Sequence, residues 1–190
     1  MANLQNIEKF YSRASTRDFS RDFLFRVKSL NIRDLVMGDD DLVYVKAAQL
    51  PGRQVSNVAV PYMGLNFNVP GGATYPGSDS YTLTFYLDAG SRLRERFEAA
   101  SRTLFNDDTS TGSYGTPNPQ NFITLVQLRK DLNELREYKL VGASLRNINA
   151  IDYQIASGTG NTVEVGVTLA YHYYELGGPG AGPATNEGGI

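Results

Sequence analysis

From Val163 onward, apolar and aromatic residues occupy every second position. The odd positions read Val163, Val165, Val167, Leu169, Tyr171 and Tyr173, and the even ones Glu164, Gly166, Thr168, Ala170, His172 and Tyr174. A period of two held this long, in β-branched and aromatic types, predicts a long strand with one buried face. At about 3.3 Å per residue such a strand spans roughly 35–40 Å, about twice the usual length. A barrel wall or a shared sheet must receive it. It is the second of two strands predicted within 138–175, the first running over 138–146 and the bend falling at 147–149.

The rest of the composition bounds what surrounds that strand. A chain of 190 residues with 41% hydrophobic content suits one domain with a substantial core. With 18 basic and 20 acidic residues the net charge is −2, which argues against a general nucleic-acid-coating surface and leaves room only for a local patch. The absence of cysteine excludes disulfides, thiolate metal sites and thiol nucleophiles. No apolar run approaches the roughly 20 residues of a membrane span and no signal peptide opens the chain, so folding in a cytoplasm is the simplest expectation. Twelve tyrosines and nine phenylalanines without tryptophan suit a β-rich protein with many half-buried faces.

Read in order, residues 1–20 form an arm outside the core, with a short helix that puts Ile7, Phe10 and Tyr11 on one face. Phe23, Phe25 and Val27 alternate with polar neighbours in a first strand. Gly38-Asp39-Asp40-Asp41 reads as an acidic turn, because adjacent aspartates lack the alternate spacing and distal glutamate of a calcium loop. A strand over 42–48 stops at Leu50-Pro51-Gly52. Short extended segments cover 55–62 and 64–69, and Pro70-Gly71-Gly72 and Pro76-Gly77 punctuate the next loop. Tyr81, Leu83, Phe85 and Leu87 alternate in a strong strand. One helix follows over 91–104, capped by Asp88 or Ser91, with Leu93, Phe97, Ala100 and Leu104 on one stripe and Arg92, Arg94, Glu95, Glu98 and Arg102 facing away. Interleaved glutamates make that outer face a solvated one rather than a nucleic-acid surface. Residues 106–121 are a surface loop, 122–128 a strand and 130–137 a charged connector. From Gly177 a Gly/Pro-rich tail has almost nothing to bury.

No constellation of catalytic residues emerges. His172, the only histidine, has no sequence partner and reads as a packing or surface residue. Residues 111–115 miss the Gly-x-Ser-x-Gly pattern and its strand–helix frame. Gly158-Thr159-Gly160 lacks the length and lysine of a phosphate loop, and Asp107 and Asp108 lie in a polar loop where burial is not expected. The expectation is a non-enzyme without cofactor or metal.

With these elements placed, the chain resembles the tail tube proteins of contractile-tailed bacteriophages. The resemblance rests on the Ala48-x-Leu50-Pro51-Gly52 turn and on the Thr82–Asp88 run (TLTFYLD) feeding an Arg/Glu-rich helix with Phe97. It continues through Tyr138-Lys-Leu-Val-Gly142, Ile148-Asn149, Ile151-Asp152-Tyr153 and the valine-alternating strand ending in Tyr171-His-Tyr-Tyr174-Glu175. It covers roughly 21–175. It implies a mainly β subunit, a two-sheet sandwich or barrel-like tail tube fold with one flanking helix, spanning 21–176 with an insertion at 106–121, an arm at 1–20 and a flexible tail at 177–190. It also implies six-membered rings stacked into a hollow tube inside a contractile sheath, in a phage tail assembled in the host cytoplasm. Its partners would then be copies of itself, the sheath, the baseplate, the tape measure and the tail terminator, with DNA passing through the lumen unbound.

The long arm, the 106–121 loop and the tail depart from the compact pattern. They leave open a tube-like baseplate or terminator component, or the tube of a phage-like injection system. Closing strand edges across copies gives rings, and a second head-to-tail contact gives a filament. Two surfaces are expected to matter. Arg92, Arg94 and Arg102 would form an outward helix face toward the sheath. The 51–70 segment would stack rings through Val58, Val60, Tyr62, Met63, Leu65 and Phe67. The rivals are a ligand-binding β-barrel, which requires an apolar cavity, and a nucleic-acid-binding β-domain, which requires a basic aromatic strand face.

Overall fold

A computed structural model describes residues 7–16, 19–113, 118–156 and 160–179. Two antiparallel sheets pack face to face. The first runs in the order β13-β10-β9-β1-β2, built from β1 (Phe25–Ile32), β2 (Leu35–Met37), β9 (Phe122–Leu128), β10 (Glu134–Val141) and β13 (Tyr173–Gly177). The second runs β11-β12-β6-β3, from β3 (Val45–Ala47), β6 (Tyr81–Tyr86), β11 (Ser144–Ile148) and β12 (Glu164–Ala170). Period-two faces supply the core between them: Tyr81, Leu83 and Phe85 of β6 and Val165, Val167 and Leu169 of β12 meet Leu30, Ile123, Leu125 and Leu140 of the first sheet. The sheets are open at their edges, so the architecture is a mainly β sandwich and not a closed barrel.

The long terminal strand expected over 163–174 is two strands in two sheets. β12 ends at Ala170, and after Tyr171 and His172 the chain continues as β13 in the other sheet. The 138–146 strand divides in the same way, at Gly142 and Ala143, into β10 and β11. The two crossings lie side by side: His172 N–H donates to the Val141 carbonyl at 2.9 Å, and the His172 ring lies over Gly142. Gly142 has φ +74, and a Cβ there would push the His172 imidazole aside, so both the backbone and that close approach favour glycine. Past the crossing the buried phase reverses. Tyr173 is exposed, while Tyr174 turns inward against the rings of Tyr75 and Tyr138.

Other elements differ from expectation for local reasons. β1 buries Val27, Leu30 and Ile32 across a bulge, with Leu24 buried ahead of it, so Phe23 falls on the exposed side. The 42–48 strand is only β3, because the chain from Asp39 forms a one-turn helix, α2 (Asp39–Leu42), in place of the expected turn. The 130–137 connector is a tight turn followed directly by β10. Within 106–121 a small ladder forms between β7 (Phe105–Asn106) and β8 (Thr111–Gly112). Residues 1–6 of the arm and 180–190 of the tail lie outside the described residues. The arm helix is present as α1 (Ile7–Thr16), with no residue buried.

The main helix, α3 (Arg92–Leu104), inserts Leu93 and Phe97 into the core, with Phe97 5.4 Å from Phe85 between ring centroids. Its start is capped by Asp88, whose carboxylate accepts from the N–H groups of Arg92 and Leu93 at 3.2 Å each. Burial pushes the Asp88 carboxyl up, but the Leu93 and Arg92 amides outweigh it and hold it below the usual carboxylate range. The helix lies against β2 and β11, one edge of each sheet. Arg96 donates to the Val36 carbonyl of β2 and pairs with Asp41, and Arg94 donates to the Asn149 carbonyl just past β11 at 3.3 Å. One long side of the sandwich is thus sealed, and β13 and β3 remain as the edges opposite it.

Candidate assembly interface

Between Arg53 and Asp79 the chain carries no charged residue. This stretch folds into a separate two-stranded sheet, β4 (Gln54–Tyr62) and β5 (Leu65–Thr74), in which every residue is exposed. Met63 (φ +49) and Gly64 (φ +81) form the two-residue turn, a pair of left-handed residues that matches strand twist. That turn fixes the register, with Tyr62 opposite Leu65, Val60 opposite Phe67 and Val58 opposite Val69. Directly opposed residues share a face, so these three rows make one face wholly apolar. The other face carries Pro61 with Asn66, Ala59 with Asn68, and Asn57 with Pro70.

Both prolines are placed where they cost the ladder nothing. Counting from the two-residue turn, the Pro61/Asn66 and Asn57/Pro70 rows are non-hydrogen-bonded pairs, whose amides point away from the partner strand. Each proline therefore removes a donor from a free outer edge, which discourages a further strand from adding there. What the hairpin offers is its face.

The base of the hairpin is held by the body. Tyr75 packs edge-on against Tyr174 at 5.5 Å, Tyr171 N–H donates to the Ser78 carbonyl, and the Tyr81 hydroxyl donates to the Gln49 carbonyl at 2.7 Å. Burial pushes the Tyr81 hydroxyl well above the ordinary tyrosine range, so it stays a neutral donor. A firmly held base and an uncovered blade together form a projecting element.

Of the residues singled out by sequence, Val58, Val60, Tyr62, Leu65 and Phe67 come together on the apolar face, and Met63 stands at the tip, 86% exposed. Val69 completes the face and lies within the segment, but its proximity to Pro70-Gly71-Gly72 made it look like a strand end. The strand in fact continues to Thr74. Arg92 and Arg102 are exposed on α3, whereas Arg94 is half-buried and committed to Glu98 at 2.7 Å and to Asn149. Arg96, which the stripe pattern did not single out, ties the helix to Asp41 and β2.

A second surface differs in kind. On the outer side of the five-stranded sheet, Arg26 pairs with Glu134 at 2.5 Å, and Lys28 reaches Glu134 at 3.2 Å and Glu137 at 3.4 Å. Hydrogen bonding to Arg26 first, then Lys28, holds the Glu134 carboxyl low, and Glu134 in turn raises Lys28. These pairs span β9 between its neighbours, and beneath them Thr124 and Val126 are buried. Among the described residues no group of three or more histidines, aspartates or glutamates is placed to hold a metal ion.

Neither a protein-family model nor a curated protein matches the sequence. Solved structures do match by shape. A chain of the anti-feeding prophage baseplate aligns over 85% of this chain and 97% of its own length, with TM-score 0.58 and 12% identity. The chain has a phage-tail-tube-like fold. A chain of the anti-feeding prophage tube-terminating cap aligns with TM-score 0.57 and 11% identity over 85% of this chain and 92% of that one. One from the sheath–tube complex of an extracellular contractile injection system in its extended state aligns with TM-score 0.50 and 13% identity over 87% and 96%. The tube-like fold expected from the sequence resemblance is therefore present, at identities that carry the fold alone.

Proposed function

We propose that this chain is a structural subunit of the inner tube of a phage-type contractile tail. Copies close into six-membered rings through strand edges, rings stack into a hollow tube within a contractile sheath, and the tube conducts DNA when the tail contracts. The sheath, baseplate, tape measure and tail terminator are its other partners. The observation that carries this reading is the charge-free hairpin, exposed along its whole length on a body of tube-like fold. In a monomer such a surface is an aggregation liability, and in a stack it is buried at every ring junction.

Two features support the details. α3 seals β2 and β11, which leaves β13 and β3 free for lateral contact between copies. Outside the five-stranded sheet Arg26 and Lys28 pair with Glu134 and Glu137, and Lys139 lies over the Phe122 ring, so that face offers little free basic charge to grip a phosphate backbone passing along it. Arg92, Arg94 and Arg102 are the surface offered to the sheath; Arg92 and Arg102 are exposed, while Arg94 is half-buried and also holds Glu98 and the Asn149 carbonyl.

The likeness to a cap chain and a baseplate chain favours a second reading: a tube-like component that ends or begins the tube, or its equivalent in an injection particle. Light scattering and negative-stain images of the purified protein at rising concentration separate these readings. Long tubes support the main reading, and single rings or short stacks support the second. A monodisperse monomer at high concentration contradicts both.

A further inference from the structure

The hairpin presents an apolar face and α1 an apolar stripe, and among the described residues of one chain neither is covered. Ile7, Phe10, Tyr11 and Ala14 follow the i, i+3, i+4, i+7 spacing of one helix face, with Glu8, Lys9 and Arg13 elsewhere around the helix. None of the ten residues is buried, and Ile7 and Tyr11 are 72% and 68% exposed. A helix of this length is marginal alone in water, and so is a two-stranded hairpin. Each lacks the layer that the other could provide. We infer that α1 of one copy lies across the apolar face of the β4–β5 hairpin of a neighbouring copy. This rests on the reading of the chain as a self-assembling subunit.

The dimensions agree. Ten helical residues span about 15 Å, and the three apolar rows between Val58 and Tyr62 span about 13 Å. The six side chains of the face, each roughly half exposed, present on the order of 500 Å². That is over half of the ~800 Å² that each partner buries in a standard stable interface, and the tip and the flanking loop supply more. The chemistry narrows the occupant as well. With no charge between 54 and 78 the blade has nothing to hold a phosphate or an ionic partner, so it selects an apolar surface. α1 is such a surface, and the chain carries one in every copy. In the single chain Phe10 instead stacks on Phe19 at 6.0 Å, and the hairpin rows stay open. A helix given to the next copy is a heterologous contact, the kind that propagates a stack.

The chain has no cysteine, which makes the test direct. Full-length Tyr11→Cys and Phe67→Cys chains are mixed under assembling conditions and oxidised. A Leu132→Cys chain, altered in an exposed turn, replaces Tyr11→Cys in the control mixture. A disulfide-linked heterodimer at least tenfold above the control supports the inference, because a bond in the mixture must join two copies. Phe10→Ser in the Tyr11→Cys chain should abolish that excess. Assembled particles with cross-linking no higher than the control overturn the inference while leaving the assembly reading intact. So does a Tyr11→Cys/Phe67→Cys chain that cross-links only within itself. Protein that never assembles overturns both readings together.

Discussion

β12 and β5 both alternate in sequence, yet one is interred and the other stands in solvent. In β12 Val165, Val167 and Leu169 are fully buried, while in β5 Leu65, Phe67 and Val69 are all exposed. Periodicity identifies which residues share a face. It does not say what covers that face. The complementary positions are more informative: at the start of β12 Glu164 pairs with Lys46 at 2.5 Å, a solvated ion pair at the rim, and across the outer side of β1 and β10 Arg26 and Lys28 pair with Glu134 and Glu137. The back of the hairpin carries asparagine, proline and alanine without a single charge. A strand built to end in water usually carries charge, and the proposed stacking would give this one the cover that its own chain does not.

The sharpest contrast is between Phe97 and Phe67. Phe97 is 0% exposed, so Phe97→Ala should cost about 3–5 kcal/mol in chemical denaturation followed by circular dichroism. Phe67→Ala should shift the same monomer curve by no more than about 0.5 kcal/mol. Equal losses would mean that the hairpin belongs to the core after all.

Next in size is the sheet-crossing corner. Gly142→Ala should lose about 1–3 kcal/mol, from the left-handed backbone and from the collision with the His172 ring. Adding His172→Ala should recover the collision part and leave the backbone part, which a double-mutant cycle reads directly. No recovery would mean that the two crossings are not coupled through that contact.

A smaller effect follows from Asp88. Its folded carboxyl lies below the ordinary value, so its stabilisation of α3 is fully present above about pH 4 and is lost as pH falls through the lower folded value. Thermal melts between pH 6 and pH 3 should show this acid limb in the native protein, and Asp88→Ala should flatten it. Smallest of all, Glu134→Gln should cost about 0–1 kcal/mol, less at high salt, because its partners Arg26 and Lys28 are largely solvated.

What was legible in the sequence was whatever a single element settles for itself. Tyr81/Leu83/Phe85 and Leu93/Phe97 each declare a strand or helix by spacing, and β6, β9 and α3 lie within a residue of expectation. The corner was not legible. The alternation of the sequence runs straight through the bend at His172, and only the distant pairing of His172 with Val141 and Gly142 reveals the crossing. Pro70 reads as a strand breaker in sequence, yet β5 continues through it to Thr74. In an isolated ladder its missing amide faces outward and breaks nothing. The fate of Arg94 and Arg96 depended on carbonyls of β2 and Asn149 that no helical pattern can place. For the proposed assembly surface, the apolar residues are visible in the sequence but their exposure is not, although the charge-free interval is a readable sign of it.

The most direct measurement is the mass of native protein and of a Met63/Leu65/Phe67→Ser variant over a rising concentration series, by sedimentation velocity with circular dichroism on the same samples. Native protein should grow into large stacked species. The variant should keep the native spectrum and melting behaviour, since all three positions are exposed, and stop at small rings or subunits. A variant that grows as the native protein does, or one that unfolds, would contradict the assignment of the hairpin as the stacking element.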